Sequence, residues 1–303
     1  MSEIRNKPAS VMAKLKNIAR ENGIDYNAIL LLYMQERLLY RLSVSPYADN
    51  FVLKGGLMLF SIDRFNTRPT VDMDFLAQNM PNRLDYIKQT VSAIAGLSCD
   101  DGLNFRLEDI AVEDIVEHGT YSGVRAGITC FIGKAWKRLP IDIGFGDAVV
   151  PGPMNIVYPV LLDTEPPPLI RVYSLESAIA EKFEAMIKLS FINSRMKDFY
   201  DISTLSRKHN FEGHVLQEAI IETLQRRGTV YEREVAIFQD EFINSPDKQR
   251  DWRYFMRRIK VDAPSEFKDA MLQIKLFLEP VFEAICNEKE FFLRWISGSN
   301  QWM

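Results

Sequence analysis

The sequence predicts an α+β fold: a mixed sheet with flanking helices in the first half, then a mostly α-helical second half. Three observations carry this. Strand-like runs, several of them alternating apolar and polar residues, fall before residue 146. Proline dominates residues 151–168, ending in Pro166-Pro167-Pro168, which reads as a linker or an extended edge segment. After Tyr173 nearly every segment has helical spacing. The expected division is a core over 1–168 and a helical domain over 169–303 that completes a cleft.

The first expected element is an amphipathic helix over 9–21, ended near Gly23. A second helix runs from about Tyr26 to Leu42, with Asp25 as its N-cap. Phe51-Val52-Leu53 reads as a strand running into a tight turn at Gly55-Gly56. Val71 to Leu76 alternates apolar and acidic residues, a strand with one polar face. A helix over 82–96 precedes strands near 104–116, 121–132 and 137–145. In the second half Ser174 N-caps a helix through about Leu189. Further helices are expected at 198–208, 212–226, 233–243, 247–259 and 265–286, and the residues beyond them are weakly patterned.

Composition narrows the class. The chain has 303 residues, 47% apolar and 26% charged, with a formal charge of -4. It is no polycation, so any nucleic-acid contact must come from a local patch. Cys99, Cys130 and Cys286 are widely spaced and lack CxxC spacing, which gives neither a disulfide framework nor a zinc site. His118, His209 and His214 are scattered and read as structural or surface residues. The N-terminus has no apolar signal segment, and Ala28 to Met34 is too short to span a bilayer. A reducing cytoplasm and no membrane contact are therefore expected.

The candidate chemistry centres on Asp72 and Asp74. Two residues apart on a strand, both carboxylates share a face and repel, which calls for a cation. Mg²⁺ (or Mn²⁺) suits carboxylate oxygen and leaves sites for water and phosphate. Taken alone, D-x-D is better explained by a solvated strand face, because the spacing is common. Its neighbours add weight: paired glycines admit close backbone approach to phosphate, and Arg64 and Arg68 lie between the two elements. Asp142, between Ile141 and Ile143, is a third candidate carboxylate if the isoleucines face the core; a surface aspartate on an edge strand is the alternative. Lys182 lies beside an apolar stripe of Ile179, Phe183, Met186 and Ile187, either as a phosphate-binding lysine or as a surface lysine paired with Glu181 or Glu184. Asp198 and Asp201 sit three apart at a helix start, where capping alone would explain Asp198.

Taken together these segments resemble the AbiEii/AbiGii toxin family, nucleotidyltransferase-like proteins of bacterial toxin–antitoxin and phage-defence systems. The string Lys54-Gly55-Gly56-x-x-Leu59 with Arg68-x-Thr70-x-Asp72-x-Asp74-Phe75 is similar to the family's first motif. Ile141-Asp142-Ile143-Gly144-Phe145-Gly146-Asp147 resembles its second strand motif. Tyr173 to Lys182 resembles the helix bearing its lysine, and Arg195-Met196-Lys197-Asp198-Phe199-Tyr200-Asp201 its R-x-K-D-x-x-D signature. The wider superfamily is polymerase-β-like, related to MenT-type tRNA nucleotidyltransferase toxins. It carries Gly-Ser where this chain has Gly55-Gly56, which removes one hydroxyl.

The resemblance implies a nucleotidyltransferase-like core and a metal-dependent transfer from NTP. Asp72 and Asp74, with Asp142 as a third candidate, would hold metal. Gly55, Gly56, Arg68 and Lys182 would meet the nucleotide. Asp198 would be an essential acid, a base for the attacking hydroxyl. The implied acceptor is RNA, above all the tRNA 3′ end, and the implied partner is a cognate antitoxin protein. Arg226, Arg227, Arg233, Arg250, Arg253, Arg257, Arg258 and Lys260, with Tyr231, Trp252 and Tyr254, could hold RNA, or could form an ordinary charged helix surface. Competing readings are a kinase-like phosphotransferase on the same site, a non-catalytic binding module with the same fold, and a D-x-D phosphatase. The last is disfavoured because Leu76 stands where it wants Thr or Val.

Overall fold

A computed structural model of the chain describes residues 6–117, 120–259 and 266–303; His118 and Lys260 lie outside them. The chain divides into two compact units. One runs to Gly146 and resumes over Met154–Val172, and the other comprises Asp147–Pro153 and Tyr173–Met303. A boundary at residue 168 therefore cuts off Leu169–Val172, which belongs to the first unit's sheet.

In the first unit, α1 (Lys7–Glu21) is opened by Asn6, whose side chain accepts from the Ala9 N–H at 3.1 Å. In the same way Asp25 opens α2 (Tyr26–Ser43), accepting from Asn27 at 2.9 Å. Then come β1 (Phe51–Lys54), α3 (Gly55–Asp63), β2 (Met73–Ala77), α4 (Leu84–Ala95), β3 (Asn104–Glu117), β4 (Thr120–Ile132), β5 (Ala135–Phe145), β6 (Met154–Val157) and β7 (Leu169–Val172). The strands form one seven-stranded sheet in the order β3-β4-β5-β2-β1-β7-β6. β2 pairs parallel with β5 and β1 parallel with β7; the other pairs are antiparallel, so the sheet is mixed.

One face of that sheet is apolar. Leu38 and Leu42 of α2 and Val91 and Ile94 of α4 meet Phe51, Met73, Phe75, Ile141 and Ile143. Each such side chain contributes about 1.5–3 kcal/mol by burial. Strand alternation then turns Asp74, between Met73 and Phe75, and Asp142, between the isoleucines, to the opposite face.

The proline-rich stretch is anchored rather than free. β6 is the sheet's edge strand. Beyond it, Leu161 N–H donates to buried Glu36 at 2.6 Å and buried Arg37 donates to the Pro166 carbonyl at 2.8 Å. Burial pushes the Glu36 carboxyl up to about 7, against the opposing pull of Arg37.

In the second unit, Ser174 opens α5 (Leu175–Leu189), accepting from Ser177 at 3.1 Å. There follow α6 (Met196–Lys208), β8 (Phe211–Glu212), α7 (Gly213–Arg227), α8 (Asp240–Ile243), α9 (Pro246–Ile259), α10 (Phe267–Cys286), β9 (Arg294–Ile296) and β10 (Gln301–Trp302). Its core is aromatic: Phe199 and Phe267 meet at 5.2 Å, and Phe277 and Trp295 at 5.0 Å.

Two expectations fail here. No single helix covers 233–243; a short 3₁₀ turn at Ala236–Phe238 precedes α8. The run VYEREVAIFQDEF buries Val235, Ile237, Phe238 and Phe242, a spacing that no one helical stripe supplies. The weakly patterned C-terminus forms β9 and β10, a three-stranded sheet with β8. Trp302 stacks on Phe277 at 5.6 Å, so aromatic packing rather than alternation holds it.

Candidate functional site

The first cluster lies on the polar face of the large sheet. β1 does not end in a turn at the glycines: Gly55 and Gly56 are the first residues of α3. Gly55 has φ +66°, and a Cβ there would overlap the Asp74 carboxylate. A Cβ on Gly56 would lie 2.5 Å from the Thr70 Cβ. The glycines thus admit Asp74 and Thr70 against the start of the helix, where its partial positive charge favours a carboxylate.

Asp72 stands just before β2 rather than in it, so strand alternation does not place the Asp72–Asp74 pair. Its segment is pinned by buried Gln35, which donates to the Val71 carbonyl at 2.7 Å, and by Thr70 Oγ1, which donates to the Asp72 carbonyl at 3.3 Å. Both aspartates are partly exposed. Arg68 is 8% exposed and Asp142 is on β5, the parallel neighbour of β2.

Register joins these positions into a row across five strands. Glu113 pairs with Arg125, Arg125 with Asp142, Asp142 with Asp74, and Asp74 with Lys54. Arg125 donates through Nε and Nη2 to the two oxygens of Asp142, each at 2.7 Å. That bond, reinforced by Asp72 and Glu113 at longer range, holds the guanidinium above its ordinary pKa. Arg125 was not among the expected site residues. The signal was present: it alternates with buried Val124 and Ala126, as Asp142 does with its isoleucines.

Among the described residues no group of three His, Cys, Asp or Glu side chains is gathered as a ready metal cage. The donor chemistry still fits Mg²⁺ at Asp72 and Asp74, because that ion takes one or two carboxylates and completes its shell with phosphate and water. Asp142, as placed, is engaged by Arg125.

The second cluster lies in the second unit. Lys182 Nζ on α5 meets Asp198 Oδ1 at 3.1 Å and Asp201 Oδ2 at 2.9 Å on α6. Arg195 Nε meets Asp198 Oδ2 at 2.8 Å. Asp198 therefore does more than cap. Both aspartate side chains are 1% exposed and that of Lys182 12%. Glu181 and Glu184 are instead engaged by Arg227, at 3.2 and 2.9 Å, and Asp147 lies 3.1 Å from the same guanidinium. Burial pulls Arg227 down, but these acids outweigh it and hold its pKa up.

The basic stretch is accordingly smaller than its sequence implies. Arg227 is neutralised and Trp252 is fully buried, so neither is an RNA surface. Arg253, Arg257 and Arg258 on α9 are exposed, with Tyr254 at 65%. Arg250 is also exposed, next to Asp247 at 2.8 Å. No helix among the described residues is long and apolar enough to cross a membrane.

A mixed sheet that presents neighbouring aspartates beside a glycine-opened helix fits the nucleotidyltransferase-like core that the sequence motifs imply. The family described as nucleotidyl transferase AbiEii toxin, type IV toxin–antitoxin system, matches over residues 37–283. The chain belongs to that family and is a nucleotidyltransferase toxin of a type IV toxin–antitoxin system. Among solved structures it is similar to MenT4, a nucleotidyltransferase toxin from Mycobacterium tuberculosis H37Rv. The identity is 18%, with 90% of this chain and 89% of that one covered and a TM-score of 0.58, which speaks to the fold alone. It is also similar to JHP933 from Helicobacter pylori, at 16% identity and a TM-score of 0.46, covering 87% of this chain and 95% of that one. No curated protein matches the chain.

Proposed function

We propose that the chain transfers a nucleotidyl group from an NTP to an RNA end, with the tRNA 3′ end as acceptor, in a divalent-metal-dependent reaction. The observation that carries this is the Asp74 carboxylate lying against Gly55 at the start of α3, with Asp142 beside it on the parallel strand. The acceptor hydroxyl oxygen attacks the α-phosphorus, its proton passes to water, and the bond to the β-phosphate breaks so that pyrophosphate departs. Asp72 and Asp74 would hold the metal, which when bound would neutralise charge on the phosphates and the attacking oxygen.

The residues of the chain supply binding and orientation. The N–H groups at the start of α3, opened by Gly55 and Gly56, and the Arg68 guanidinium attract phosphate oxygens. The family motif assigns Lys182 to the nucleotide phosphates, and in the second unit Asp198 and Asp201 hold its ammonium at 3.1 and 2.9 Å. Asp198 acts as a positioning residue, since its buried carboxylate fixes the Lys182 ammonium and already accepts from it at 3.1 Å. The acceptor reading draws on α9: Arg253, Arg257 and Arg258 offer charge to the RNA backbone, and Tyr254 a stacking surface. A cytoplasmic setting and a cognate antitoxin accompany this reading.

The test is incubation of the pure chain with total tRNA, Mg²⁺ and each NTP, labelled in parallel at the α- or the γ-phosphate. Label from the α position entering RNA supports the proposal. Transfer of the γ label alone makes the enzyme a phosphotransferase, and absence of both labels with no NTP binding by calorimetry makes it a binding module.

A further inference from the structure

Arg125 occupies an unusual place in the charge row. Its fork takes both oxygens of Asp142 at 2.7 Å, while its own side chain stays 47% exposed. On its far side Asp142 stands level with Asp74, with Asp72 two residues before that. Carboxylates side by side on neighbouring strands repel. The guanidinium offsets that repulsion on the Asp142 side, as Lys54 flanks Asp74 on the other. It also occupies the oxygens that Asp142 would need for a metal.

We propose that Arg125 is a counter-ion that competes with the divalent cation for Asp142. With the Arg125 fork on both oxygens of Asp142, the cation is left with Asp72 and Asp74. Were Asp142 to turn to the metal, the guanidinium would be released beside Asp142 and Asp74, where it could meet a phosphate. A planar fork suits a carboxylate and a phosphate equally, so one group serves both states. No bond is made or broken, and the exchange keeps the charge of the row balanced. The inference rests on the reading of Asp72 and Asp74 as the metal site.

The experiment is a Mn²⁺ titration of the full chain without nucleotide, followed by the electron paramagnetic resonance signal of free Mn²⁺. It compares the wild type with Arg125→Ala, Asp142→Asn, the double variant and Asp74→Asn, with Arg125→Gln as a second removal of the fork. Arg125→Ala and Arg125→Gln should bind Mn²⁺ about threefold to fivefold more tightly, the factor an ion pair of this exposure can hold back. The same change made with Asp142→Asn already present should have no effect. Equal affinity in wild type and Arg125→Ala overturns the proposal. So does tightening that persists with Asp142→Asn, because the effect is then general charge. Asp74→Asn should weaken binding in every case; if it does not, the metal-site reading itself fails rather than the role of Arg125.

Discussion

Replacing Lys182 by alanine takes the ammonium away from two carboxylates that are each 1% exposed. Arg195 stays on Asp198, but its side chain is 42% exposed. Removing one partner from a buried ionic group costs about 3–5 kcal/mol, because charge is left behind in a poorly solvated place. With an m-value of about 2.5 kcal/mol/M, that loss moves the urea midpoint down by about 1–2 M. Trp252, Trp295 and Trp302 all belong to the second unit, and only Trp136 to the first, so tryptophan fluorescence reports the unit that is perturbed. Adding Asp198→Asn and Asp201→Asn to the alanine variant should recover much of the midpoint, since neutral amides need no cation. A Lys182→Ala midpoint within about 0.3 M of wild type would refute the reasoning. Loss of activity in Lys182→Ala alone is therefore ambiguous, and assays should be run well below the new midpoint.

Gly55→Ala should cost about 1–3 kcal/mol through its positive φ and push the Asp74 carboxylate aside, lowering nucleotidyl transfer at least about 100-fold; urea unfolding and label incorporation check the two parts. Glu36 gives a pH signature. Its folded pKa of about 7 lies above the ordinary 4.5, so the folded state holds the proton longer. The first unit should then lose up to about 3 kcal/mol as pH rises from 4.5 to 7, and stay level above that. Glu36→Gln should flatten this slope in urea midpoints measured across that range. Arg227→Ala should destabilise the second unit by about 3–5 kcal/mol. Arg253→Ala and Arg257→Ala should leave stability within about 0.5 kcal/mol yet weaken tRNA binding, each lowering the salt dependence by about one ion.

Much of the fold was legible because the signals were local. Asp25 and Ser174 each cap the helix that begins at the next residue, and Ile141 and Ile143 declare the buried face of β5. The failures depended on long-range packing. Gly55-Gly56 looks like a turn, yet it opens α3, because only the tertiary structure shows Asp74 resting where a side chain would be. Asp72 and Asp74 read as one strand, but pairing begins at Met73. Lys182 has acids one and two residues away in sequence and chooses two on another helix. Trp252 sits in an arginine-rich stretch and still goes to the core, since α9 buries Trp252 and Ile259 while its other faces carry the charge. The outward face of Arg125 could be read from its buried neighbours Val124 and Ala126, but its pairing with Asp142 could not, because cross-strand register is not written in either strand alone.

The most direct test of the central claim compares the wild type with Asp74→Asn in transfer of α-phosphate label from NTP to tRNA, at matched urea midpoints. The account predicts labelled tRNA with the wild type and at least about a 1,000-fold lower rate with Asp74→Asn, the scale expected when a group essential to transition-state charge is lost. Undiminished labelling by the variant, or no α label transferred by the wild type, would contradict it.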